Sequence, residues 1–229
     1  KALPLCGNKH IAFDNLEIFS RNKKSIKSRF IHFKKIGKLK SKEKIKVKKD
    51  LKKITSKRKN FILNLDFSCP NIMGILNMTP DSFSDGGKYN KGSKSSNHIA
   101  KMIKDGASII DIGGESTRPG SKIINQNIEW KRLKNILKKF KKKYKKISLS
   151  IDTRKSEIML KSIYHGADLI NDVSGFDFDN KALGNIRKHK IAKVLHHMQG
   201  TPNTMQLNPK YKNVLLDIYD YFENSIEYK

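Results

Sequence analysis

The chain has 229 residues, with 49 Lys and Arg against 21 Asp and Glu and a formal net charge of +28. That length supports one large domain with a buried core. Two distant cysteines, Cys6 and Cys69, exclude a disulfide framework or zinc site, and no apolar run approaches the roughly 18 to 20 residues of a membrane helix.

No signal-like block opens the chain, so a reducing, cytoplasmic setting is expected and no membrane partner. The sequence begins at Lys1 rather than Met and stops at Lys229 inside a helical pattern, which reads as a piece of something longer. Residues 1–20 are mixed, and the alternation in HIAFDNLEIF suits a short strand or turn. Residues 21–60 hold 16 Lys and 3 Arg against one Glu and one Asp, a net +17 that accounts for most of the excess. This segment reads as a basic linker or insertion, with only a weak strand signal where Ile45 and Val47 alternate with lysines. Such charge suits phosphate, but Lys, Ile and Asn are also what AT-rich codons supply. A nucleic-acid face interleaves aromatics with its lysines. Here only Phe30 and Phe33 do so, and nucleic acid is not expected as a partner.

From Phe61 the pattern turns regular. Apolar runs with β-branched residues at Ile72–Leu76, Ser108–Ile112, Ile147–Ile151, Asp168–Ile170 and Ala192–Leu195 predict buried parallel strands. Between them lie helical stripes: Ile99, Met102 and Ile103, then Leu133, Ile136, Leu137, Phe140 and Tyr144. Further helices are expected over Lys155–Tyr164, over Lys181–Lys188, and from Tyr211 onward with Val214, Leu215, Ile218, Phe222 and Ile226 inward. Five alternations of strand and helix demand right-handed crossovers and a parallel sheet, open or closed. Every strand ends in polar residues rather than one switch point, which favours a TIM (β/α)8 barrel of which five βα units are present. The domain plan is therefore residues 1–20, 21–60 and a barrel portion from 61 to 229.

Those strand ends are the candidate site. Asn77 offers a hard amide oxygen suited to Mg²⁺, and the loop beyond it carries Asp81 and Asp85 between Pro80, Gly86 and Gly87. The next loop, DIGGESTRPGS, supplies Gly113 and Gly114 for close backbone approach, Thr117 for a phosphate oxygen, Arg118 as a fork for anions and Pro119 as a stiffener. Asp152 in SIDTRK can accept from a ring N–H and an exocyclic amine, with Asn171 in LINDVSG beside it as donor and acceptor. A plainer alternative has Asp152 and Thr153 capping the following helix. At HHMQGTPNTMQ the adjacent His196 and His197 point to opposite faces, one lining the site and one packed. Met198 is a filler or a thioether against a flat ring, and no histidine is assigned as a base.

Taken in order, MGILNMTPDSFSDGG, GASIIDIGGESTRPGS, SIDTRK, GADLINDVSG and HHMQGTPNTMQ resemble the dihydropteroate synthase family across about Asn71 to Tyr228. The resemblance implies a TIM barrel in folate biosynthesis, with a 6-hydroxymethyl-7,8-dihydropterin diphosphate and 4-aminobenzoate as substrates and Mg²⁺ as cofactor. It places Asn77 at the metal, Thr117 beside the diphosphate, and Asp152 and Asn171 on the pterin ring with Met198 as a further contact. Asp85 and Arg118, the catalytic candidates, fall on two loops that close over the site. Phe83 and Pro119 frame the aminobenzoate ring, where sulfonamides also bind. The family's later DPG, SRK and Arg-x-His elements have no counterpart before Lys229, so this stretch is expected to be inactive by itself, and any homodimer to form through helices beyond it. A pterin-binding methyltransferase barrel shares the Asp and Asn logic but needs neither STRPGS nor HMQG.

Overall fold

Residues 2–22, 25–62, 65–79, 91–118 and 121–228 are described by the computed structural model and fall into two units, Lys1–Asn60 and Phe61–Lys229. The first contains two antiparallel pairs, β1 (Leu3–Pro4) with β2 (Ala12–Phe13) and β3 (Asn15–Arg21) with β4 (Ile26–His32). A 3₁₀ turn over Phe33–Lys38 follows and buries Ile36, and then comes α1 (Ser41–Thr55). The described residues between 21 and 60 thus include β4, the 3₁₀ turn and α1, and Ile45 and Val47 lie on a helix instead of the weakly signalled strand. Lys and Glu are good helix formers, Glu43 sits in the first turn, and Lys52 and Lys53 sit in the last, where they favour the helix dipole. Tertiary burial adds little: α1 has no buried residue and Ile45 is 69% exposed.

The second unit opens on a hairpin, β5 (Phe61–Ile62) with β6 (Leu65–Asp66). Five βα units follow: β7 (Met73–Asn77), α2 (Lys91–Lys104), β8 (Ile109–Gly113), α3 (Gln126–Lys143), β9 (Ser148–Asp152), α4 (Ser156–Tyr164), β10 (Leu169–Asp172), α5 (Ala182–Ile186), β11 (Ala192–Leu195) and α6 (Val214–Tyr228). The strands form one parallel sheet whose spatial order is the chain order from β7 to β11. No reversal of order exists to make a switch point, so this is part of a curling barrel wall and not an open doubly wound sheet. Among the described residues, β7 and β11 pair on one side only.

The first four strands start one residue later than the apolar runs suggest, because the ladder and not hydropathy sets their ends. Register is what positions the site. Alternate residues of each strand face the helices: Ile110, Ile112, Leu149, Ile151 and Ile170, all fully buried, pack with Leu133, Phe140, Ile158, Met159 and Ile186. The other residues line the inner face, where Leu65 of the hairpin joins Ile109 and Leu169 in a small apolar cluster at its lower end. The inward stripe expected of α6 is only partly realised. Val214, Leu215 and Ile226 are 56, 58 and 73% exposed, and the helix is tied instead by Tyr221, whose hydroxyl donates to the His196 carbonyl at 2.7 Å.

Candidate active site

Pairing aligns Asn77 with Gly113, Gly113 with Asp152, and Asp152 with Asn171. These four positions form the uppermost layer of the inner face, because residues directly opposite on neighbouring strands share a face. One layer down, Asp111 pairs with Ser150. A Cβ added to Gly113 would sit 3.5 Å from both Asn77 Oδ1 and Asp152 Oδ2, so the bare glycine leaves the gap between those two side chains open. Gly114 serves another purpose than the ligand approach expected of it. A Cβ there would come within 2.8 Å of Glu129 Cγ and 3.1 Å of Leu133 Cγ, so this glycine lets α3 close on the sheet.

The layer is electrostatically unusual. Burial, reinforced by the charges of Asp111, Asp172 and Glu129 and opposed by Arg154, pushes the Asp152 carboxyl up to about 8. Among the described residues no donor reaches that carboxylate. The capping alternative fails, since α4 begins after Lys155 with no side-chain cap. Burial also raises Asp111, with Ser150, Asn171 and His196 offsetting part of the effect, and raises Asp172 despite its bonds from the Ser174 N–H and hydroxyl at 2.8 and 2.6 Å. Asn171 Nδ2 donates to Asp111 Oδ2 at 3.2 Å, while its Oδ1 lies 2.6 Å from His196 Nε2. The histidines divide as expected: His196 joins the layer, and His197 packs against Tyr211, Tyr221 and Phe222.

Behind the layer lies an ionic cluster that the motifs do not announce. Arg154 donates to Glu115 Oε2 at 2.8 Å, Lys155 Nζ to Glu115 Oε1 at 2.9 Å and to Glu129 Oε2 at 2.7 Å, and the Thr153 hydroxyl to Glu129 Oε1 at 2.6 Å. Glu115, Glu129, Thr153, Arg154 and Lys155 are all buried, and Arg154 also stacks on Phe178 at 4.2 Å. Burial alone would raise Glu115, but Arg154, the Ile124 N–H and Lys155 hold it below the usual carboxylate range. The cluster joins the loop after β8 to the start of the loop after β9, and Arg132 adds a bond to the Gly114 carbonyl at 2.7 Å. One sequence signal existed: Glu129 lies on the α3 apolar stripe, four residues before Leu133.

The pinned loop carries Thr117, half-buried, and Arg118, exposed, beyond the end of β8. Met198 is half-buried two residues past His196. Asn77, Asp152 and Asn171 are thus brought together, with Thr117 and Arg118 on the adjoining loop. Asp81, Phe83, Asp85 and Pro119 lie outside the described residues. Among the described residues no three of His, Cys, Asp and Glu converge as a metal cluster, and no helix is long and apolar enough to cross a membrane.

Residues 73–228 match the family described as pterin binding enzyme. The dihydropteroate synthase of Haemophilus influenzae is 40% identical over 159 residues, 69% of this chain and 57% of that protein. The Yersinia pestis dihydropteroate synthase in a sulfonamide drug complex superposes with a TM-score of 0.65 at 40% identity, covering 71% of this chain and 58% of that one. The Burkholderia cenocepacia enzyme complexed with 7,8-dihydropteroate gives 0.60 at 33% identity, covering 71 and 54%. This chain therefore spans a little over half the length of such relatives. With the motif order, the parallel wall and the polar layer all agreeing, the chain belongs to the pterin-binding enzyme family.

Proposed function

We propose that this chain supplies the pterin- and diphosphate-holding part of a cytoplasmic dihydropteroate synthase, which joins a dihydropterin methyl diphosphate to 4-aminobenzoate and releases diphosphate. The observation that carries this reading is the Asp152 carboxylate, short of donors among the described residues and held up to about 8 by burial and neighbouring acids. Such a group is costly in the empty protein and calls for a ligand with paired N–H donors. A 2-aminopterin edge offers a ring N–H beside an exocyclic NH₂, and both can reach one carboxylate. Asn171, in register with Asp152, adds a donor and an acceptor in the same layer.

Departure of the diphosphate leaves a positive charge delocalised from the methylene into the ring. Asp152, ionised against the ring donors, would favour such a cation, with Asp111 one layer down adding to the field wherever it is ionised, and being fixed by the strands these groups need no reorganisation as charge develops. Thr117 and Arg118 stand on the loop suited to the diphosphate, Thr117 through its hydroxyl and N–H and Arg118 through its guanidinium. Asp85, Phe83 and Pro119 keep the closing and aminobenzoate-framing roles that the motif resemblance implies, with Met198 against the ring. The arylamine then attacks the methylene carbon, forming the C–N bond and losing a proton that no strong base need take.

Asn77 fits a Mg²⁺ ion: its Oδ1 faces the gap at Gly113, and no donor among the described residues claims it. When bound there, Mg²⁺ would offset the charge gathering on the departing diphosphate, its other ligands being substrate oxygens and water, as is usual for this ion.

The test is calorimetric titration of the whole gene product carrying this chain with the dihydropterin diphosphate, before and after Asp152→Asn. Loss of the carboxylate is expected to weaken binding by about 1.5 to 3 kcal/mol. Equal affinity in the two proteins would remove Asp152 from the site and the reading with it.

A further inference from the structure

A side-chain amide has two orientations that differ only in exchanging its donor and its acceptor. Which one Asn171 adopts decides what it can offer a ligand, and its surroundings decide the orientation. The Asp111 carboxyl, 4% exposed, faces Asn171 from β8, and once ionised it can only accept. The amide nitrogen then turns toward it, and Nδ2 lies 3.2 Å from Asp111 Oδ2. That leaves Oδ1 against His196 Nε2 at 2.6 Å, a contact that is favourable only if Nε2 carries a hydrogen.

We propose that Asp111 and His196 are positioning residues that lock the Asn171 amide in one orientation. One amide N–H and one Oδ1 lone pair then remain for the ring, in a fixed order across the layer. The inference rests on the pterin reading of the site and adds to it two residues that need not touch the substrate.

Both neighbours are themselves held. Asp111 is the middle of a ladder, paired with Ile75 on one side and Ser150 on the other. His196 extends from β11, and its carbonyl accepts from the Tyr221 hydroxyl at 2.7 Å. On the opposite side of the strand end, His197 is gripped edge-on by Tyr221, with ring centroids 4.8 Å apart. The backbone of the His–His pair is thereby fixed by α6, and the His196 ring has its direction from that backbone. A free Asn amide would be divided between two orientations, only one of which matches a given donor and acceptor order on the ring edge. Locking it removes that loss before the ligand arrives.

A double-mutant cycle distinguishes action through Asn171 from general structural damage. Affinity for the dihydropterin diphosphate is measured in the whole gene product at pH 9, above the Asp152 titration, so that the altered charge at Asp111 does not act through Asp152. Asp111→Asn and His196→Ala are each expected to weaken binding about tenfold alone, and less than about twofold when added to Asn171→Ala. His196→Gln, which keeps an N–H donor, is expected to restore binding to within about threefold of the parent. Losses that multiply in the Asn171→Ala background, or no recovery with His196→Gln in a protein of unchanged melting temperature, would overturn the proposal. Equal binding by the parent and Asn171→Ala would instead remove Asn171 from the site and bring down the pterin reading on which the proposal stands.

Discussion

The two faces of the five-stranded wall are made by alternate residues of the same strands, yet they obey opposite rules. On the helix side, Ile110, Ile112, Leu149, Ile151 and Ile170 are sealed by α2 to α5 with no exposed surface. On the inner side, the top layer holds Asn77, a bare glycine, Asp152 and Asn171 above a buried Asp111. One face lowers the free energy of the fold by removing hydrocarbon from water. The other raises it by burying carboxylates near one another with few partners, and burial first, then the neighbouring acids, pushes the Asp152 carboxyl up to about 8. The proposed site lies on the face where stability was given up, which is where perturbed ionisation is expected to gather.

The largest effect should come from the seam between the faces. Glu129→Ala leaves Lys155 with one fewer carboxylate and the Thr153 hydroxyl without its acceptor, and should cost about 3 to 5 kcal/mol of unfolding free energy in a denaturant titration. A loss near zero would mean that the buried cluster does not hold the β8 and β9 loops together. Ile151→Ala, on the sealed face, should cost about 2 to 5 kcal/mol while leaving ligand affinity of the folded fraction unchanged. A specific fall in affinity from that variant would break the division between the faces.

Asp152→Asn should do the reverse, weakening ligand binding without lowering stability at neutral pH. Its pH signature sharpens the contrast. A carboxyl whose folded pKa is raised to about 8 holds its proton in the native state while the unfolded chain has already released it. Stability of the empty protein should therefore fall as pH rises from about 4 toward about 8, a slope that Asp152→Asn flattens. A ligand that donates two N–H groups prefers the ionised carboxylate, so affinity should climb over the same interval; a flat affinity profile would contradict the assigned partner. The smallest effect belongs to the lysine-rich unit, where Glu43→Ala breaks an exposed pair with Arg29 and should change stability by less than about 1 kcal/mol.

Sequence alone determined the parallel βα alternation, the polar strand ends and the family, because hydrophobic periodicity and loop composition are local properties that survive without coordinates. It put Asn77, Asp152 and Asn171 at strand ends that the structure brings into one layer, for the same reason: each closes an apolar run, and parallel pairing carries such ends to one edge of the sheet. Local pattern misjudged α1, where alternating Ile45 and Val47 hid a helix favoured by its Lys and Glu content, and it sent the whole apolar stripe of α6 inward when only part of it is covered. Only the tertiary structure decided that Gly114 serves α3, that Glu115, Glu129, Arg154 and Lys155 meet, and that Asp111, Asn171 and His196 share a hydrogen-bonded row. Those contacts join residues up to 60 positions apart through strand register, and register is set by the whole ladder at once rather than by any one segment.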